Sequence, residues 1–105
     1  MGRTGLSIAH ERWPLREPFS FTGYRIDVLD TVCVRLERDG VAGQGEGVPP
    51  VVFDMTPQSV IAEIEGVRRE IEAGIDRRNL QMLMPRGAAR NAVDCALWDL
   101  EAKSS

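Results

Sequence analysis

The sequence predicts an α+β fold, a three-stranded antiparallel sheet followed by a three-helix set. Three observations carry that reading. Residues 31–38 alternate apolar and polar and run directly into Asp39-Gly40, a hairpin signal. Thr56-Pro57 then opens a stretch in which apolar residues return every three or four positions. All of the period-two patterning precedes all of the helical patterning.

The first strand is predicted over Leu6 to Leu15, with Leu6 and Ile8 on one face and Ser7, Ala9 and Glu11 on the other. Pro14 and Pro18 are expected to close its ladder, because proline offers no N–H to a neighbouring strand. Leu15 to Asp30 shows neither period and carries Phe19, Phe21, Tyr24 and Arg25, so it reads as an ordered loop of functional length. Val32, Val34 and Leu36 define the buried face of a second strand, Thr31 to Arg38. Val41 to Val48 returns as the third, with Gly43, Gly45 and Gly47 on one face, leaving room for another backbone to approach closely.

Thr56 is placed as an N-cap with Pro57 at the first helical position. Val60, Ile64, Val67 and Ile71 form the stripe of a first helix that Gly74 terminates. Asp76 caps a short second helix bearing Leu80 and Leu83, which stops before Pro85. A third helix runs from about Gly87 to Lys103 with the stripe Ala89, Val93, Ala96, Leu97 and Leu100. Ala88, Ala92 and Cys95 widen it with small side chains, and Cys95 is expected to be buried among them. Trp98 lies on the opposite side, so this helix is expected to need two packing partners unless Trp98 simply rests on the surface.

Composition narrows the function. A length of 105 residues allows one domain, 1–105, and a net charge of −3 argues against nucleic acid or anionic lipid as a partner. No apolar run reaches the roughly 18 residues of a membrane span. Two cysteines far apart define neither a disulfide framework nor a zinc site, and the expected compartment is cytoplasmic. The chain has one His and one Lys, so it is poorly equipped for proton transfer or metal chemistry by itself. Gly43-Gln44-Gly45-Glu46-Gly47 is not a nucleotide loop, since its third glycine comes too early and prolines follow where a helix should begin. Glu46 alone lacks the carboxylate cluster of a hard-metal site. The charged residues from Glu63 to Glu72 read as a solvated helix face with Glu65 and Arg69 paired.

The strand Gly43-Gln44-Gly45-Glu46, the stretch Pro14, Leu15, Pro18, Phe19 and the helical run PRGAARNAVDCALWDLEAK (Pro85 to Lys103) together resemble one family segment. It is the N-terminal capping domain of the enolase superfamily, in the muconate-lactonizing and mandelate-racemase-like branch, and is most similar to dipeptide epimerases of the L-Ala-D/L-Glu type. The resemblance covers essentially the whole chain. It implies a cap that closes over the mouth of a (β/α) barrel, and a barrel of about 250 residues is absent from this chain. The acid/base lysines and the Mg²⁺ ligands of the family lie on that barrel, so no catalytic residue and no metal ligand is assigned here. Removing a proton α to a carboxylate gives an enediolate, which such sites stabilise with Mg²⁺. The cap excludes water and recognises the distal part of a small carboxylate substrate, a dipeptide in the epimerases.

The resemblance makes Phe21, Tyr24 and Arg25 substrate-binding residues of the specificity loop, with Arg25 facing a side-chain carboxylate. The competing reading of Arg25 is a solvated surface arginine. Phe53, after Pro49-Pro50, resembles the second cap loop and is read either as an apolar wall for the substrate or as an anchor for the first helix. The partner implied is the protein's own barrel domain, and a homo-oligomer is compatible with the sequence. The cap of a muconate cycloisomerase or o-succinylbenzoate synthase, or a non-catalytic interaction domain, are the alternatives to an epimerase.

Overall fold

The computed structural model describes residues 3–21, 24–48 and 56–104. Three antiparallel strands, β1 (Gly5–Phe21), β2 (Tyr24–Arg38) and β3 (Val41–Gly47), form one sheet in the order β1-β2-β3. Four helical segments follow: α1 (Pro57–Glu65), α2 (Arg68–Glu72), α3 (Arg77–Leu83) and α4 (Ala88–Ser104). The predicted α+β order of sheet then helices is what the chain adopts.

The β2–β3 hairpin turns at Asp39 and Gly40 with φ of 52° and 81°. Two successive positive φ values match the right-handed twist of the flanking strands, which is why an Asp-Gly pair serves here. The caps read from sequence are present. Thr56 and Ser59 exchange reciprocal hydrogen bonds of 3.0 and 3.1 Å between side chain and backbone. Asp76 Oδ1 accepts from the Asn79 N–H at 2.8 Å, and extended Met84 ends α3 ahead of Pro85.

The predicted first helix is broken into α1 and α2 at Gly66-Val67. Val67 has φ −119° and ψ 16°, outside the helical region, and its N–H donates to Ile64 three residues back. Glycine is a weak helix former, and the break shifts the phase of the charged face. Glu65 is therefore taken by Arg68 rather than by Arg69 as expected. Arg68 also donates to the Leu6 carbonyl at 2.9 Å, so α2 covers part of the free edge of β1.

The core lies between one sheet face and the helices. Leu6, Val32, Val34 and Leu36 meet Val60, Ile64, Ile71, Leu80 and the α4 stripe, all of them buried. The contact between β3 and α4 is made by backbone. A Cβ placed on Gly43, Gly45 or Gly47 would lie 2.4, 2.2 and 2.5 Å from the carbonyl oxygens of Ala96, Ala92 and Ala88 respectively. Every second residue of a strand advances about 6.6 Å, and every fourth residue of a helix about 6.0 Å. The glycines and these helical positions therefore stay in step, antiparallel, along the contact. The room that the three glycines were expected to leave is filled by α4 of the same chain.

The alanine flank of α4 packs on β3 of the same chain, while Trp98, on the other side, is 60% exposed, so no second packing partner covers that side among the described residues. One expectation about α4 needs correction. Cys95 is exposed rather than buried. The reason is that β3 is an edge strand, and among the described residues no strand lies beyond it to cover that flank.

Asp99 of α4 accepts from the Gln44 N–H at 2.9 Å, satisfying a donor on the outer edge of β3. That hydrogen bond, and then the ion pair with Lys103, hold the Asp99 carboxyl below its usual range. A lowered folded-state pKa stabilises above the unfolded-state pKa and is lost as pH falls through the folded value. Asp99→Asn is thus expected to melt at lower temperature than the parent at neutral pH. Thermal melts repeated stepwise down to pH 3 should show that gap closing; a gap that is constant with pH would contradict the assignment.

Candidate functional site

The sheet is not three-stranded along its whole length. Pairing of β3 with β2 ends at Gly47↔Val32, while β1 and β2 go on pairing from Glu11↔Thr31 to Phe21↔Tyr24. The result is a two-stranded ribbon of residues 11–21 and 24–31 extending beyond β3.

This corrects the reading of Leu15 to Asp30 as a loop. The ladder runs through Pro14↔Val28, loses register, and resumes at Phe19↔Ile26. Five steps on β1, Pro14 to Phe19, answer two on β2, Ile26 to Val28, so three residues are extra on β1. β1 is an edge strand, and a proline there need not interrupt pairing with β2, because its missing N–H can lie on the unpaired side.

The structure brings three of the four sequence-derived site residues to one place. Phe21 and Tyr24 are directly opposed at the far end of the ribbon, and Arg25 is opposite Ser20 one row in. Phe53 lies outside the described residues.

At the other end of the ribbon is a cluster that sequence reasoning missed. Asp30 Oδ1 accepts from His10 Nε2 at 2.8 Å and from Arg12 Nε at 3.2 Å. An ionised carboxylate only accepts, so His10 carries its proton on Nε2. The alternation that puts Leu6 and Ile8 on the core face also puts His10 and Arg12 there. That face turns from apolar to polar where the ribbon leaves the body. A continuous register run back from Phe21↔Tyr24 would have put Arg12 opposite Cys33; the three extra residues on β1 bring Arg12 opposite Asp30 instead, so the pair does not show in the sequence.

Elsewhere the polar groups are engaged structurally. Arg77 pairs with Asp94 through two hydrogen bonds of 2.9 and 3.2 Å and lies 4.2 Å from the centroid of the Trp98 ring. Trp98 therefore sits on the surface with a cation against its face. On the sheet face away from the helices, a groove of about 240 Å³ includes Ala9, Glu11, Cys33, Gln44 and Glu46. The Cys33 thiol donates to Glu46 at 3.6 Å, and burial, reinforced by Glu46 and Glu11, pushes its pKa up, so it is a neutral thiol at neutral pH. Among the described residues no three His, Cys, Asp or Glu side chains gather in a way that could hold a metal ion. No step through a metal follows from these residues. No helix among them is long and apolar enough to cross a membrane.

Fold and site together define a sheet-then-helices α+β domain from which a two-stranded ribbon extends. The chain belongs to the family of mandelate racemase/muconate lactonizing enzyme N-terminal domains, whose model matches residues 3–105. It is 41% identical over 98 residues to the L-Ala-D/L-Glu epimerase of Escherichia coli (strain K12), covering 93% of this chain and 30% of that protein. It superposes with a TM-score of 0.92 and 38% identity on an enolase family member from Agrobacterium tumefaciens with homology to dipeptide epimerases. That structure contains bound sodium and L-Ala-L-Glu with an ordered loop, and the match covers 96% of this chain and 31% of that one. The dipeptide epimerase from Methylococcus capsulatus, complexed with Mg and L-Arg-D-Lys, matches at TM-score 0.79 and 29% identity, over 99% of this chain and 32% of that one.

The architecture is that of the N-terminal capping domain of enolase-superfamily proteins, and the barrel is not in this 105-residue chain. The chain spans about a third of the length of the relatives it matches. Those relatives include epimerases and racemases, which are isomerases.

Proposed function

We propose that this domain is the substrate-specificity cap of a Mg²⁺-dependent dipeptide epimerase whose acid/base groups and metal ligands lie on a barrel domain outside these residues. The observation that carries the reading is the 41% identity to an L-Ala-D/L-Glu epimerase over 98 residues. The ribbon supports it, because the backbones of Phe21, Tyr24 and Arg25 converge at its far end.

The reaction in this reading removes the proton on the carbon α to the dipeptide carboxylate and returns one on the opposite face. This chain's part is recognition. Arg25 would pair with the side-chain carboxylate of the second residue, a contact a planar guanidinium makes with two hydrogen bonds. Phe21, Tyr24 and Phe53 would supply apolar surface that keeps water from the reacting carbon.

The test uses the full-length protein with Mg²⁺ and L-Ala-L-Glu in deuterated water. Proton NMR should show loss of the glutamate α-proton together with build-up of L-Ala-D-Glu. Turnover of a muconate or a succinylbenzoate precursor, with no α-proton exchange in any dipeptide, would replace this reading with the cycloisomerase or synthase one.

A further inference from the structure

The ribbon presents a mechanical problem that its root answers. A two-stranded hairpin is marginally stable without a third strand or a covering helix. Here β3 stops at the row Val32↔Gly47, and three residues of β1 are out of register between Pro14 and Phe19. The direction of the far end is therefore set by the few regular rows between the body and that irregularity. Asp30 is placed across this boundary. His10 is opposite Val32, the last row paired with β3, and Arg12 is opposite Asp30, beyond it. One carboxylate oxygen thus ties the last row of the three-stranded body to a row of the free ribbon, at 2.8 and 3.2 Å. The groups lie at the surface, with 27% of the His10 side chain, 36% of the Asp30 side chain and 66% of the Arg12 side chain accessible.

The geometry points to Asp30 as a positioning residue: through His10 and Arg12 it fixes the direction of the ribbon, and hence the place from which Arg25 meets an acidic dipeptide. This rests on the reading of the ribbon as the substrate-facing part of an epimerase cap. Asp30 touches no substrate. It acts on capture, which separates it from a residue that takes part in the chemistry.

The experiment is a double-mutant cycle in the full-length enzyme, with KM and kcat read separately for L-Ala-L-Glu. Asp30→Ala is expected to raise KM about tenfold with kcat within about twofold. Added to Arg25→Ala, it should cause little further loss, because a misdirected ribbon no longer has an arginine to misplace. Asp30→Asn keeps an oxygen in the same position and should recover most of the KM. If Asp30→Ala does not fold, Arg12→Ala, which removes one of the two donors, should show the same KM pattern more weakly. An unchanged KM in these variants, or losses that multiply with those of Arg25→Ala, would overturn the positioning role alone. An Arg25→Ala enzyme as active as its parent would overturn the reading of the ribbon, and the positioning role with it.

Discussion

Gly45→Ala is expected to destabilise the protein by about 3 kcal/mol, the upper part of the range for forcing extra volume into a packed interior. The added Cβ would lie 2.2 Å from the Ala92 carbonyl oxygen and 2.6 Å from the Ala96 nitrogen. Both are backbone atoms of α4, so no rotamer change relieves the clash. The strand or the helix must move, and moving either opens the core between Val34 and Val93. Gly5→Ala is the control, because its Cβ would meet only the Glu37 carbonyl oxygen at 3.8 Å. Urea unfolding followed by far-UV circular dichroism should separate the two variants by most of that 3 kcal/mol estimate. A Gly45→Ala protein as stable as Gly5→Ala would mean that strand and helix are further apart than described.

Arg25→Ala in the full-length enzyme carries the second large effect. If Arg25 pairs with the side-chain carboxylate, its loss removes a charge-assisted hydrogen bond of about 1.5–3 kcal/mol. That is roughly a 10- to 150-fold fall in kcat/KM for L-Ala-L-Glu. A dipeptide with a neutral second side chain, such as L-Ala-L-Leu, should lose little. Equal losses for both substrates, or none, would favour the solvated-arginine reading of Arg25.

Much of the fold was legible because several of its signals are local. Asp39-Gly40 has the φ preferences of its turn written into two residues, and Thr56-Pro57 and Asp76 announce helix starts by chemistry that acts within one turn. The glycine repeat 43, 45, 47 announced a close approach, although not that α4 would make it.

What was not legible depends on partners distant in sequence. The ribbon past Pro14 has no period to read, because three residues on β1 are extra and the rows resume only at Phe19↔Ile26. Its prolines read as ladder breakers until the strand order shows that β1 is an edge. Asp30 escaped notice for the same reason, since its two donors lie 18 and 20 residues away. Cys95 sits in an apolar neighbourhood along the chain, and only the end of the sheet at β3 leaves it exposed. Of the site, the residue types at the ribbon's end came from the resemblance, while their convergence comes from the register Phe21↔Tyr24 and Ser20↔Arg25.

The central claim is that the ribbon of this domain recognises the acidic end of a dipeptide. A crystal structure of the full-length protein with Mg²⁺ and L-Ala-L-Glu bound tests it most directly. The account predicts the Arg25 guanidinium within hydrogen-bond distance of the glutamate side-chain carboxylate, about 2.7–2.9 Å for a charge-assisted pair. A bound dipeptide whose side-chain carboxylate is held entirely by barrel residues, with the ribbon out of contact, would contradict it.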